Sequence, residues 1–382
     1  MMENGKKVKI LKVSIIVTLI MLVLSCISLI TVAVNKRNEE LRQIEIEKNK
    51  EHIFGIIDNT NTDTIYLTVN ETYQLDYQID SDKYPSEKTL NYFSNNTNAV
   101  TVNENGLVKA IGNGETTITI SVDEYLKTIN IISTDLLLPL NNDSIFDKPF
   151  LECGQYTKEE NDLIDKILMY RVNNAGYSSR AGVVAAARFL LIEFPYKIDY
   201  FYENGRISNN VDGEGRYYHK GLYLNESRYE ELINSIEGPV SWGCKLYSIQ
   251  VEEEGVNGLD CSGFVSWALL NGGFDPGDVG AGKKDGDKDS FYYIGQREKN
   301  SLELISSIKA GDLVHNDKAG GHIGMVIGID NENIYVAQAI WYKPNGVVVT
   351  KYTYDEFIKD WTRVILMDDY YLDNGNYTNM WN

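Results

Sequence analysis

Two residues in this sequence have the makings of a reaction. Cys261 stands in Gly258-Leu259-Asp260-Cys261-Ser262-Gly263-Phe264. Asp260 has the short acceptor side chain that caps a helix. Behind it Phe264, Val265, Ala268 and Leu269 form one apolar stripe, and Gly272-Gly273 supplies the stop. Cys261 therefore falls in a first helical turn, where the macrodipole and the amide N–H groups stabilise a thiolate and can receive an oxyanion. Taken alone, a cysteine is more often a small buried hydrophobe, so a nucleophile needs a base beside it. His322 opens the run His322-Ile323-Gly324-Met325-Val326-Ile327-Gly328-Ile329. In a strand, Ile323, Met325, Ile327 and Ile329 share one face, the expected core face, and His322 lies on the other with Gly324, Val326 and Gly328. An imidazole beside glycines has room to reach a facing helix or a substrate. The pair predicts nucleophilic catalysis, with the imidazole taking and returning the proton. His315 is the rival base and is expected to be dispensable, because it lacks the alternating strand and small neighbours of His322.

Other chemistries are poorly supplied. The chain has four cysteines and four histidines, with no Cys-x-x-Cys and no His-x-x-x-His, so no metal site or cofactor is expected. Asp285, Asp287 and Asp289 have the opening spacing of a calcium loop. Ser290 replaces its glycine, however, and Gln296 stands where a glutamate is needed. Cys153 and Cys244 can be read either as a disulfide or as two thiols. A net charge of -19 repels phosphate backbones and argues against nucleic-acid binding.

The elements that must position Cys261 and His322 come late in a chain of several parts. Residues 1–12 are lysine-rich, and residues 13–34, bounded by Val13 and Val34, are apolar and uncharged over a bilayer-spanning length. The lysine excess in front predicts a cytoplasmic N-terminus and an extracellular remainder. A cleaved signal peptide is the competing reading, but no Ala-x-Ala site follows; a lipoprotein would use Cys26, after which the run stays apolar. Residues 35–63 read as a charged stalk. Residues 64–134 hold short β-rich runs such as Thr117-Ile118-Thr119-Ile120-Ser121-Val122, separated by Asn105-Gly106 and Gly112-Asn113-Gly114, the pattern of a small sandwich. Residues 135–150 read as a linker. In residues 151–255, Thr157-Lys158-Glu159-Glu160 is a capping box ahead of one helix, and a second helix over residues 179–194 stops at Pro195. Residues 256–370 carry the chemistry, and 371–382 are a tail.

Two family resemblances attach to these residues. Ala99 to Ile120, AVTVNENGLVKAIGNGETTITI, resembles the bacterial immunoglobulin-like module, group 2, although Tyr92 stands where that family often has Trp. Such modules are spacers or adhesins, and no ligand can be named. Asp260-Cys261-Ser262-Gly263-Phe264, Gly311-Asp312-Leu313-Val314 and His322-Ile323-Gly324 with its apolar strand together resemble the NlpC-type cell-wall endopeptidases, a branch of the papain-like cysteine hydrolases. The resemblance runs from Gly258 to the strand Arg363-Val364-Ile365-Leu366-Met367. It implies Cys261 as nucleophile and His322 as base, with Gln338, on the next strand, orienting the imidazole. It further implies that Asp260 and Ser262 line a pocket for the substrate's amino end. Tyr200, in Tyr200-Phe201-Tyr202-Glu203-Asn204-Gly205, is the nearest match to a Tyr-x-Trp-Gly-Gly segment that joins them in many members. The expected fold is an α+β papain-like domain behind an all-β immunoglobulin-like sandwich and one transmembrane helix. The implied substrate is the peptidoglycan stem peptide, cut at the γ-D-glutamyl to diamino-acid bond. A CHAP-type amidase fits Gly321 to Val326 as well. A non-enzymatic adhesin or scaffold with a degenerate hydrolase domain is the reading from another class.

Overall fold

A computed structural model describes residues 55–60, 62–80, 88–139, 148–149, 156–198, 200, 242, 259–276, 279–282, 290–291, 294–319 and 321–376. The apolar run 13–34, Cys26, Cys153, Cys244 and the three aspartates of the calcium-like spacing lie outside them. Among the described residues no helix is long and apolar enough to cross a membrane.

Nine strands form the N-terminal part: β1 Ile56–Asp58, β2 Thr64–Thr68, β3 Thr72–Gln74, β4 Tyr77–Ile79, β5 Asn91–Ser94, β6 Val100–Val102, β7 Leu107–Ala110, β8 Gly114–Val122 and β9 Tyr125–Thr134. One sheet runs β2-β9-β8-β5 and a second β3-β7-β6, with β1 and β4 paired apart. The alternation in β8 turns Ile118, Ile120 and Val122 inward, where they meet Ile65, Leu67, Val100, Val108, Ile129 and Ile131 in one apolar core.

The C-terminal part is a six-stranded sheet with helices. Its helices are α1 Lys158–Ala175, α2 Arg180–Arg188, α3 Cys261–Asn271 and α4 Tyr354–Asp360. Its strands are β10 Gln296–Lys299, β11 Leu313–Asn316, β12 His322–Ile329, β13 Asn333–Ile340, β14 Gly346–Thr353 and β15 Arg363–Leu366, in the order β10-β15-β11-β12-β13-β14, every neighbour antiparallel. The capping box closes reciprocally: Glu160 N–H reaches the Thr157 hydroxyl at 3.2 Å, and Thr157 N–H reaches the Glu160 carboxylate at 2.7 Å. The expected helix after Ser179 is α-helical to Arg188 and continues as a π turn over Phe189–Glu193. Phe194 N–H bonds back to Phe189 O. The next donor in that pattern would be residue 195, a proline without an N–H, which leaves the Leu190 carbonyl without its helical partner. Lys148 replaces it, its buried Nζ donating to Leu190 O at 2.9 Å and Phe194 O at 2.7 Å.

Three features differ from the sequence reading. First, the sheet has a core on both faces. Ile323, Met325 and Ile327 pack with α1, α2 and α3, while Val326, Val336, Phe357, Trp361 and Val364 form a second cluster. The face of β12 that carries His322 is thus covered from beyond Gly324 onward. Ile329 also leaves its expected face, because the register of β12 shifts between Val326 and Gly328. The Ile327 carbonyl at that bulge accepts from Arg188 Nε at 3.0 Å and Nη2 at 2.6 Å.

Second, the expected linker is partly built into the C-terminal part. Leu137 is buried in its core, Leu136 packs against it, and Leu138 N–H donates to Glu193 O at 2.7 Å. A run of three leucines has too much apolar surface to leave in water. Third, the two parts are joined by a half-buried ion cluster. Arg171 of α1 donates to Glu193 at 2.9 Å, to Glu71 after β2 at 2.8 Å, and to Tyr66 O at 3.2 Å. Beside it the rings of Tyr66 and Tyr170 lie 5.4 Å apart.

Candidate active site

Asp260 starts α3. Its Oδ1 accepts from Gly263 N–H at 2.6 Å and from Ser262 Oγ at 2.8 Å, and both side chains are buried. The cap fixes Cys261 as the first helical residue, half-buried and outside any disulfide. The rest of α3 is buried, because Phe264, Val265, Trp267, Ala268 and Leu269 enter the core between α2 and the strands β12 and β13. Close approach of α3 to α2 depends on Gly272, where a Cβ would run into the Val183 backbone.

His322 is the first residue of β12, paired with Asn316 of β11. Its Nε2 lies 2.7 Å from Gln338 Oε1 on β13. The Gln338 amide nitrogen donates to Thr350 Oγ1 at 2.8 Å and Tyr352 Oη at 3.2 Å, both on β14. With both amide hydrogens so used, Oε1 is the atom turned to the imidazole, and His322 Nε2 carries the hydrogen. The lone pair then sits on Nδ1, the nitrogen left to accept a proton. Trp361, just after α4, stacks on the ring with centroids 5.3 Å apart and 19° between planes. Burial holds the His322 pKa below the ordinary imidazole value; the Gln338 hydrogen bond opposes this and the charge of His315 adds to it. A neutral imidazole near neutral pH is the form that can deprotonate a thiol.

His315 is in no position to compete. It is fully buried, with Nδ1 2.8 Å from Asp317 Oδ1 and Nε2 2.8 Å from Ala281 O. Both nitrogens face acceptors, so neither turns a lone pair toward a thiol. Instead His315 ties down the segment 279–282, against which the turn before β12 is packed. Gly321 has φ +103°, and a Cβ there would collide with Ala281 O. The chain of contacts from Ala281 through Gly321 therefore reaches the His322 imidazole.

The other residues singled out fall into separate roles. Asp312, from the Gly-Asp-Leu-Val motif, is a structural acceptor. Its Oδ1 takes Arg180 Nη1 at 2.8 Å and Met367 N–H at 3.0 Å, and its Oδ2 takes Lys309 N–H at 2.8 Å. Arg180 also reaches Asp368 at 2.7 Å and Ala310 O at 3.0 Å. Tyr200 packs half-buried against the core that also receives Cys261. A closer match to the aromatic-glycine segment than Tyr200 stands at Val240-Ser241-Trp242-Gly243, where Val240 takes the place of the tyrosine. Trp242 is buried against Phe189 and Phe194, with Nε1 donating to Asp165 at 2.7 Å. Val240 lies outside the described residues. Trp361 was also missed; no motif announces a residue that meets His322 only through the fold.

No protein-family model matches the chain, and no curated protein matches it.

Proposed function

We propose that this chain is a membrane-anchored, extracellular cysteine peptidase of the bacterial cell wall, which hydrolyses an amide bond of the peptidoglycan stem peptide. In this reading the C-terminal part is a papain-like, NlpC-type domain. The strands before it are a bacterial immunoglobulin-like module, and residues 13–34 anchor the chain. The observation that carries it is the fixed imidazole: Gln338, itself oriented by Thr350 and Tyr352, holds His322 Nε2 at 2.7 Å in a protein whose only described cysteine heads the helix packed on the same strands.

The steps follow from those groups. His322 Nδ1 takes the Cys261 proton, and the thiolate attacks the amide carbon. The oxyanion develops at the N-terminus of α3, where the macrodipole is positive. Collapse breaks the C–N bond as the imidazolium gives its proton to the leaving amine. Water, deprotonated by His322, then releases the acyl group and restores the thiol. The γ-D-glutamyl to diamino-acid bond is the one proposed, from the resemblance of the motifs.

The test is mass spectrometry of muropeptides incubated with the chain and with Cys261→Ala. Wild type should yield two new fragments whose masses sum to substrate plus water, and Cys261→Ala, correctly folded, should yield none above background. Fragments from a folded Cys261→Ala chain, or none from wild type, would overturn the reading.

A further inference from the structure

The Gln338 hydrogen bond fixes only part of the placement of His322. It is made at Nε2, at the far end of the imidazole from Cβ and close to the axis of the Cβ–Cγ bond. A bond there holds the tip of the ring and resists rotation about that axis only weakly, and the χ2 torsion of histidine is intrinsically broad. Such a rotation swings Nδ1, the nitrogen left to take the thiol proton.

Trp361 closes that freedom. Its ring stacks on the imidazole with centroids 5.3 Å apart and 19° between planes. The indole is buried and is itself held on several sides. The Trp361 backbone N–H donates to Phe357 O at 3.0 Å at the end of α4. Asn300 Nδ2 donates to Trp361 O at 3.0 Å and to Phe357 O at 3.2 Å. Tyr352, which takes the Gln338 amide at 3.2 Å, meets the indole edge to face with centroids 6.4 Å apart. His322, Gln338, Tyr352 and Trp361 thus form a closed circuit of contacts. Gly324, on the same face of β12 as His322, leaves room for it. A Cβ there would lie 3.2 Å from Trp361 Cη2 and would collide with Val336 and the Ala337 carbonyl.

We propose that Trp361 is a positioning residue for the hydrolysis, its indole face setting the plane of the His322 ring and stabilising that ring when it is protonated. The role rests on the cysteine-hydrolase reading. An aromatic face carries the negative side of its quadrupole and attracts a cation within about 6 Å. Burial and the charge of His315 on β11 oppose protonation of the ring, and Gln338 on β13 brings no charge to it. Burial also raises the Tyr352 pKa, so that hydroxyl on β14 stays neutral. The indole therefore adds to the Gln338 hydrogen bond in favouring the charged ring. In the reaction the imidazolium lasts from loss of the thiol proton to its delivery to the leaving amine, and the indole faces it throughout.

The experiment compares two substitutions in the full chain: Trp361→Phe, which keeps a ring face, and Trp361→Leu, which keeps only apolar cover. His322 is titrated by NMR of ring-labelled histidine, with Cys261→Ala added so that no thiol titrates beside it, and His322→Gln identifies the signal. The midpoint should lie about half a pH unit lower in Trp361→Leu than in Trp361→Phe. In chains that keep Cys261, Trp361→Leu should lower kcat on soluble muropeptides at least about tenfold with KM little changed, and Trp361→Phe should lose less. If either variant fails to fold, fluorotryptophan grown into the chain preserves the shape and weakens the π face, and the His322 midpoint should fall. Equal midpoints in the two folded variants, an unmoved midpoint in the fluorinated chain, or wild-type kcat in Trp361→Leu would overturn the role. Because the titration needs no hydrolysis, failure of this role and failure of the hydrolase reading register separately.

Discussion

Replacing Gln338 with leucine probes the site at the atom that fixes the imidazole. Leucine keeps most of the volume and removes the acceptor 2.7 Å from His322 Nε2. Gln338 is 2% exposed, so water does not take its place readily. A buried donor left without a partner costs about 1–3 kcal/mol. If that cost falls on the oriented imidazole in the transition state, kcat drops about 5- to 150-fold, at 1.36 kcal/mol per decade. The loss should stay well below the roughly 10⁴-fold seen when a charged triad acid is neutralised, since a neutral amide orients without stabilising charge. The pH profile gives a second readout. The Gln338 bond raises the His322 pKa against the pull of burial, so its removal moves the His322-governed limb to lower pH. Gln338→Glu, which adds an anion, should move it to higher pH. The assay is kcat against pH on soluble muropeptides, with iodoacetamide inactivation of Cys261 as a substrate-free check. A folded Gln338→Leu chain with kcat within twofold of wild type and an unmoved limb would refute the orienting role.

Two further predictions rest on buried contacts. Contrary to the dispensability expected from the sequence, His315→Ala removes both the buried tie to Ala281 and the charge that lowers the His322 pKa, so kcat should fall about tenfold or more while the His322 limb moves to higher pH, opposite to Gln338→Leu; an unchanged profile would leave His315 as packing only. Asp312→Asn breaks an ion pair whose side chains are 0% and 1% exposed, and urea denaturation should show a loss of about 3–5 kcal/mol; a loss below about 1 kcal/mol would mean that Arg180 is satisfied by Asp368 and Ala310 alone.

Local chemistry was the legible part of this sequence. Asp260 as a cap, the Thr157–Glu160 box and the alternation in β8 each depend on residues within a few positions of one another, and the structure shows each of them. The Gln338 contact to His322 is implied by the family resemblance, which asks for a polar residue on the next strand. What failed to show was whatever depends on partners far away in the chain. An alternating strand implies one buried face; only the sequence-distant Trp361 and Phe357 reveal that the second face of β12 is covered too. The strand count to Ile329 erred because one bulge changes the parity, and Gly328 alone does not announce a bulge. The π turn needed Pro195 to be read together with a lysine 47 positions upstream, Lys148, whose donors complete it. Arg171 gave no signal at all, since its partners Glu71 and Glu193 are spread over two parts of the chain.

The proposed reaction centre is divided between two layers, and the ion pairs lie where the layers could slip. Cys261 belongs to the helical layer, in which α3 rests on α2 and α2 on α1. His322, Gln338 and Trp361 belong to the sheet and the cluster behind it. Arg180, from the first turn of α2, crosses to Asp312 at the start of β11 and to Asp368 beyond β15, with Tyr371 under its guanidinium at 4.8 Å. Arg171 fastens the other side of the helical layer to the N-terminal strands through Glu71. A buried charge released from its partners is costly, whereas apolar surfaces can slide at little cost. Arg180 therefore fixes what the hydrophobic cores leave adjustable, the offset of the helical layer that carries the thiol from the imidazole's sheet, while Arg171 holds that layer to the N-terminal strands. A misplacement of about 1 Å is enough to cost roughly 100-fold in rate. Changes at Arg180 or Asp312 should accordingly reach kcat as well as stability, although neither residue touches the site.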